Sequence, residues 1–325
     1  QVSEMNGRGQ LILGIVIVAA AIAAPLIFPA FRAQIAMLWI MVLFALTWDI
    51  MGGQTGYNTF GNIIFFGTGM YASAVLQRDG GLDYFPGLFL GMGLGAVIAV
   101  ALAAVLGSMI LRMRGHYFAI ATLGLGIAAG ELASGWGFIG AGSGMSPPIF
   151  PAAPDVSYIF FGYLFFGLAL VSFIVLALVY RTRFGLALNA IRDNEDKAEA
   201  LGLKTDLYKV AAWMLAALFL GLCGGAAGNM LGFIDPRDTA FAGATFGVWM
   251  VLMAILGGKG TLWGPVLGAF VFHVTQELFW TYLLGWQRVA LGLIIVAIVV
   301  FFPQGILGWV RARWPERFGH RIETP

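Results

Sequence analysis

The stretch Arg181 to Lys209 reads RTRFGLALNAIRDNEDKAEALGLKTDLYK, and in 325 residues it is the one long run that is strongly charged yet closely flanked by apolar segments. Within it Phe184, Leu188, Ile191, Ala198 and Leu201 recur at steps of three, four or seven, which places them on one face of a helical path. Arg192, Asp193, Asp196, Lys197 and Glu199 fall on other faces. Asp193 followed by Asp196 has the pattern of a helix N-cap with an acidic third position, and Gly202 suits a helix C-terminus. The spacing therefore predicts two short helices broken near Asp193. On charge alone the run also fits a solvated connector between two spans.

Outward from this stretch the chain reads as membrane. Apolar residues make up 60% and charged residues 10%, far from the balance of a soluble domain. The 46 glycines suit a bundle whose helices approach closely. Cys223 stands alone in an apolar run, which excludes a disulfide framework and leaves it a packing role. The run Leu11 to Phe28 is longer than a signal-peptide core and is expected to stay as a helix.

A span needs about 20 apolar residues, fewer where a helix is broken and buried in protein. That rule places segments near 11–29, 33–51, 57–77, 88–111, 116–133, 158–180, 208–232, 244–256, 264–280 and 287–303. The expectation is an all-α integral membrane protein, a polytopic helical bundle of roughly ten transmembrane segments including broken or half helices. With both termini cytoplasmic, fourteen of the eighteen lysines and arginines fall inside, and only Arg32, Arg78, Arg237 and Arg288 fall outside. The charged run is then cytoplasmic.

Two segments are interrupted. Gly52, Gly53, Gln54, Thr55, Gly56, Asn58, Thr59, Gly61 and Asn62 break the first half, and Gly257, Gly258, Gly260, Gly264 and Pro265 break the second. Paired interruptions point to a translocation site, because unwound backbone persists at membrane depth only where protein or a cavity satisfies it. By location, Gln54, Thr55, Asn58, Thr59 and Thr245 are the expected contacts to a solute. For the first break a plain cytoplasmic turn is the competing reading. The acids Asp49, Glu131 and Glu277 lie near segment ends, which disfavours a proton relay at the midplane. His273 and Glu277, four apart, are expected to form a buried hydrogen-bonded pair rather than a metal site. No GxxxxGK[ST] phosphate loop occurs, so if ATP drives this protein another chain binds it.

Several stretches together resemble one family. They are RTRFGLALNAIRDNE and AIRDNEDKAEALGL in the charged run, TWDIMGGQTGYNTFGNIIFFGTGMYASA at the first break, AILGGKGTLWGPVLGA at the second, GHYFAIATLG after Gly115, GAGSGM in the 135–157 loop, and FFPQGILGWVRARW near the end. From about Thr47 to Trp309 the chain resembles the branched-chain amino acid (LivM-type) permeases of ABC importers.

The resemblance implies one transmembrane permease domain, 1–325, with residues 181–209 as a cytoplasmic coupling loop inside it. Phe184, Leu188, Ile191, Arg192, Asp193, Asn194, Glu195, Lys197, Glu199, Ala200, Leu201 and Gly202 are then the coupling residues, with the second helix bearing the contact. The partners implied are two ABC ATPase subunits that bind ATP and Mg, a homologous LivH-type permease, a soluble periplasmic or extracellular substrate-binding protein, and membrane lipid. Nothing calls for nucleic acid. This chain is expected to bind no cofactor or metal and to carry no catalytic residue, and to sit as a multi-pass protein in the bacterial cytoplasmic (inner) membrane. The alternative is a stand-alone secondary transporter or channel for a small polar solute, which would leave the charged, periodic loop unexplained.

Overall fold

The computed structural model describes residues 7–282, 285, 286, 289, 292, 293, 296 and 305–313. The described chain is helical, with one isolated bridge between Met145 and Ile234 in extended backbone. The helices in order are α1 (Gly7–Ile27), α2 (Arg32–Asp49), α3 (Ile63–Asp79), α4 (Tyr84–Ile110), α5 (His116–Gly135), α6 (Pro154–Val179), α7 (Arg183–Ala200), α8 (Thr205–Leu231), α9 (Val248–Gly257) and α10 (Trp263–Tyr282). A short helix, Gly305–Arg313, follows.

Among the described residues six helical stretches are long and apolar enough to cross a membrane: Pro29–Thr55, Tyr84–Ile110, His116–Gly135, Pro154–Val179, Thr205–Leu231 and Pro236–Gly257. Within the third and eighth expected segments, 57–77 and 244–256, α3 has 17 residues and starts only at Ile63, and α9 has ten, preceded by two π-helical turns at Pro236–Ala240 and Gly243–Gly247. The expected segment 287–303 lies almost wholly outside the described residues.

The tightest packing joins α3, α4 and α8, and glycine makes it possible. A Cβ on Gly224 would lie 2.0 Å from the Phe66 carbonyl oxygen, one on Gly69 would lie 2.3 Å from the Gly221 carbonyl oxygen, and one on Gly225 would lie 2.8 Å from the Met92 Cα. Backbone therefore touches backbone, the form of helix association available in lipid, where apolar side chains gain little by leaving the solvent. Around this trio, Phe65 and Phe118 set their edges against Trp213 at 5.2 and 6.0 Å. Cys223 of α8 is buried, as its apolar setting predicts.

The bundle has two distinct ends. At one, α7 meets Arg114 and Gly53, Lys209 of α8 meets Leu111, and Asp49 meets Gly260. At the other, Arg78 donates to the Phe138 carbonyl and lies over its ring, Arg237 pairs with Glu131, and Met145 pairs with Ile234. The elbow and the contact between the two helix breaks lie at the first end.

Candidate functional site

The charged run folds as a helical elbow. α7 bends at Asn194, whose φ of −165° and ψ of 105° are extended rather than helical. Asn194 Oδ1 accepts from the Lys197 amide at 2.9 Å, so the cap of the second helix is Asn194, one residue beyond the Asp193 expected from sequence. Asn caps as well as Asp does, and Asp193 instead pairs with Arg192 at 3.2 Å on the surface. The second helix closes at Gly202 as expected. Gly202, with φ of +91°, donates to the Glu199 carbonyl at 2.8 Å and Leu203 donates to the Ala198 carbonyl at 3.0 Å, the paired bonds of a Schellman motif.

Leu188, Ile191 and Ala198 are buried, and Phe184 packs on Tyr208 with ring centroids 5.5 Å apart. Leu201 departs from that face: it is 89% exposed. The extended residue at 194 resets the helical phase, and Leu201 stands past the last turn, so the stripe ends at Ala198. Leu186, Leu201 and Leu207 leave three large apolar side chains exposed among Arg183, Asp193, Asp196, Lys197, Glu199, Ala200 and Lys204.

Beneath the elbow lies the first break. α2 continues as a π-helix, Ile50–Thr55, ending at Gly56 with φ of +78°, and α3 starts only at Ile63. The intervening backbone is satisfied by protein. Trp48 Nε1 donates to the Thr59 carbonyl at 2.8 Å, the Phe60 amide donates to Thr122 Oγ1 at 3.1 Å, and Trp213 Nε1 donates to Asn62 Oδ1 at 2.8 Å. Thr55 Oγ1 donates to the Met51 carbonyl at 2.6 Å.

Of the five residues expected to contact a solute, Gln54, Thr55 and Thr59 are buried, whereas Asn58 and Thr245 are exposed. Thr245 belongs to the π-turn Gly243–Gly247, which lies against the end of the first break: a Cβ on Gly247 would be 3.0 Å from the Phe60 carbonyl oxygen.

The second break, Gly257 to Gly260, touches the first. Asp49, 1% exposed, accepts the Gly260 amide on Oδ1 at 2.7 Å, and a Cβ on Gly53 would strike both Asp49 Oδ1 and the Gly260 nitrogen. Asp49 stands out in the sequence as a suspect acid; its partner 211 residues away does not. From the elbow, Arg192 Nη1 reaches the Gly53 carbonyl at 3.4 Å, and its Cγ lies where a Cβ on Gly56 would come within 3.3 Å.

Three residues that sequence reasoning missed complete the site. Lys209, 1% exposed, places Nζ 2.7 Å from Glu195 Oε1, 3.1 Å from Asp206 Oδ1, 2.8 Å from the Leu111 carbonyl oxygen and 3.3 Å from the Tyr57 hydroxyl. Tyr57 donates its hydroxyl proton to Glu195 Oε2, and its ring faces the Lys209 ammonium at 4.8 Å. Arg114, entering α5, pairs with Asp196, with Glu199 at 3.4 Å and with Glu195 at 3.6 Å. Its hydrogen bond to Asp196, aided by Glu195, raises the guanidinium pKa further above its ordinary value. The available signal was Lys209 itself, a lysine only four residues into an apolar helix.

The expected His273 and Glu277 pair does not form. His273 Nε2 lies 2.9 Å from the Gln34 carbonyl oxygen, because α10 packs that face on α2. Among the described residues no three side chains could hold a metal ion together. What the site assembles is a set of positioning contacts: two helix breaks bonded to each other, and a solvent-facing elbow bonded to the first.

Comparison with known proteins bears on what such an assembly serves. Two proteins named high-affinity branched-chain amino acid transport system permease protein LivM are similar over most of the chain. That of Escherichia coli is 28% identical over 319 residues, 90% of this chain and 73% of its own, and that of Salmonella typhimurium is 27% identical over 310 residues, 87% and 71%. A probable branched-chain amino acid transport permease protein LivH of Methanocaldococcus jannaschii is 27% identical over 139 residues, 40% of this chain and 42% of its own. No solved structure matches. A family model described as branched-chain amino acid transport system / permease component matches residues 31–301, and the chain belongs to that family.

Proposed function

We propose that this chain is the permease subunit of an ATP-driven importer for branched-chain or related amino acids, working in the bacterial cytoplasmic membrane. The observation that carries the reading is the elbow Arg183–Ala200, which faces solvent with Leu186 and Leu201 while its buried face sits on the first helix break. A stand-alone carrier has no use for such a projecting surface; a subunit driven from outside does. Family membership supports the same reading.

In this proposal α7 is the coupling element, two ATPase subunits bind ATP and Mg, a LivH-type permease completes the pathway, and a soluble binding protein delivers the solute. The chain crosses about ten times, with the elbow and both termini cytoplasmic. The lysine and arginine distribution supports that orientation, as does Gly305 lying against Gly258 at the elbow's end of the bundle. ATP-driven closure of the partner subunits pushes on the elbow, and the connected helices rock to open the path to each face in turn. Asn58 and Thr245 are proposed to meet the solute, being the two exposed members of their set.

Reconstitution in proteoliposomes tests this. With partner permease, ATPase subunits and binding protein present, leucine uptake should require hydrolysable ATP. Uptake of equal rate by the two permeases alone would overturn the proposal.

A further inference from the structure

We infer that Lys209 is a positioning residue through which motion of the elbow reaches the first helix break, by locking Glu195 against Tyr57; the inference rests on the ATP-driven reading above. The Lys209 ammonium has three protons and four oxygens within reach, contributed by the second helix of the elbow (Glu195), the start of α8 (Asp206), the end of α4 (Leu111) and the first break (Tyr57). A single atom therefore ties the elbow and the start of α8 to two segments remote in sequence, the end of α4 and the first break.

Packing alone does not require a charge there. Taking an ammonium and a carboxylate out of water is costly, and apolar side chains of similar volume often hold a buried site as well or better. What the ionic arrangement adds is geometry. Glu195 spends one oxygen on Lys209 and the other on the Tyr57 hydroxyl, which fixes the second helix of the elbow relative to the residue that follows Gly56. Arg192, on the first helix of the elbow, touches the residues before it, donating to the Gly53 carbonyl and packing on Gly56.

The two arms thus straddle Gly56, the left-handed residue where the π-helix stops, and the bend at Asn194 lies between them. A displacement of the elbow is delivered to both sides of the point where the α2 hydrogen-bond ladder ends. Arg114 also grips the elbow, through Asp196 and Glu199 in pairs that face solvent, where water and salt weaken them, and through Glu195 Oε2 at 3.6 Å, a longer contact than that of Lys209. The buried arm is the one suited to carrying load.

The test uses the complete reconstituted complex and reads solute taken up per ATP hydrolysed, beside the yield of assembled complex. Lys209→Met, which fills the space without the charge, should assemble and hydrolyse ATP while its uptake per ATP falls about tenfold, a loss typical of one broken coupling between sites. Lys209→Arg should restore most of that ratio, and Tyr57→Phe, which removes one hydroxyl, should show a smaller loss. Should Lys209→Met fail to assemble, Tyr57→Phe carries the test alone. An unchanged ratio in the variants that assemble overturns the inference, as does a fall of uptake and hydrolysis together in step with assembly. If wild-type complex takes up solute without ATP, the ATP-driven reading itself fails, an outcome distinct from either.

Discussion

The Gly260 amide donates to Asp49 Oδ1 at 2.7 Å, joining the interruption in the first half of the chain to the interruption in the second. Each break leaves backbone groups that no regular helix satisfies, and here one break caps the other. Because Asp49 Oδ1 is the acceptor, the chemistry needed at position 49 is an oxygen more than a charge.

Asp49→Ala is therefore expected to strand the half-buried Gly260 amide and to lower stability by about 1 kcal/mol, the low end of the cost of an unmatched donor. Asp49→Asn keeps an oxygen in place and should be milder. Thermal unfolding of the purified complex in detergent, with the two variants side by side, checks the order; equal losses would count against the bond.

Gly224 and Gly124 make a second comparison. Gly224→Ala forces a Cβ toward the Phe66 carbonyl oxygen, where backbone and not a flexible side chain stands in the way, and should destabilise by about 1–3 kcal/mol. Gly124→Ala meets nothing within 4 Å and gains helix propensity of up to about 1 kcal/mol, so the same unfolding assay should show no loss.

Asn194→Ala removes the cap of the second elbow helix, worth about 0.5–2 kcal/mol, and favours one unbroken helix. Spin labels at the exposed positions 186 and 201 should then move toward the separation of a straight helix, about 22 Å at 1.5 Å per residue. An unchanged distance distribution would show that packing alone sets the bend.

At the far end of the elbow, Leu201→Asp disturbs no internal packing, since Leu201 is exposed, so the permease should stay assembled while solute-stimulated ATP hydrolysis falls severalfold. Gly202→Leu places a bulky residue at φ of +91°, costing about 1–2 kcal/mol and loosening the two bonds that end the helix. Glu199→Arg sets a second cation beside Arg114 and removes the acceptor of Thr205 Oγ1 at 2.6 Å. Both are expected to uncouple hydrolysis from uptake, and normal coupled uptake in all three variants would remove the elbow from the mechanism.

Much of this fold was legible locally. Apolar run length gave the long spans, glycine clusters gave both breaks, and the Phe184 to Ala198 periodicity with Gly202 gave an elbow of two helices. The cap fell one residue off because adjacent Asp193 and Asn194 offer nearly equivalent oxygens, and tertiary contacts choose between them. Leu201 was misplaced because periodicity assumes a continuous helical phase, which the bend destroys. The pairings of Asp49 with Gly260, and of Glu195 with Lys209 and Tyr57, have no short-range signature: they join residues as much as 211 apart, through backbone atoms or common polar side chains. His273 followed the same rule, since a helix turn four residues long says nothing about the carbonyl of a neighbouring helix.

The glycine contacts of α3, α4 and α8 have a mechanical corollary. Where backbone meets backbone no intervening side chain can yield, so a displacement of α8 is expected to carry α3 and α4 with it as one body. The elbow, at the start of α8, then acts on all three helices at once. Relative motion is left to what packs around them, the sparsely covered α5 and the half-length α9, so label pairs between the trio and those helices should report transport while pairs within the trio serve as the reference.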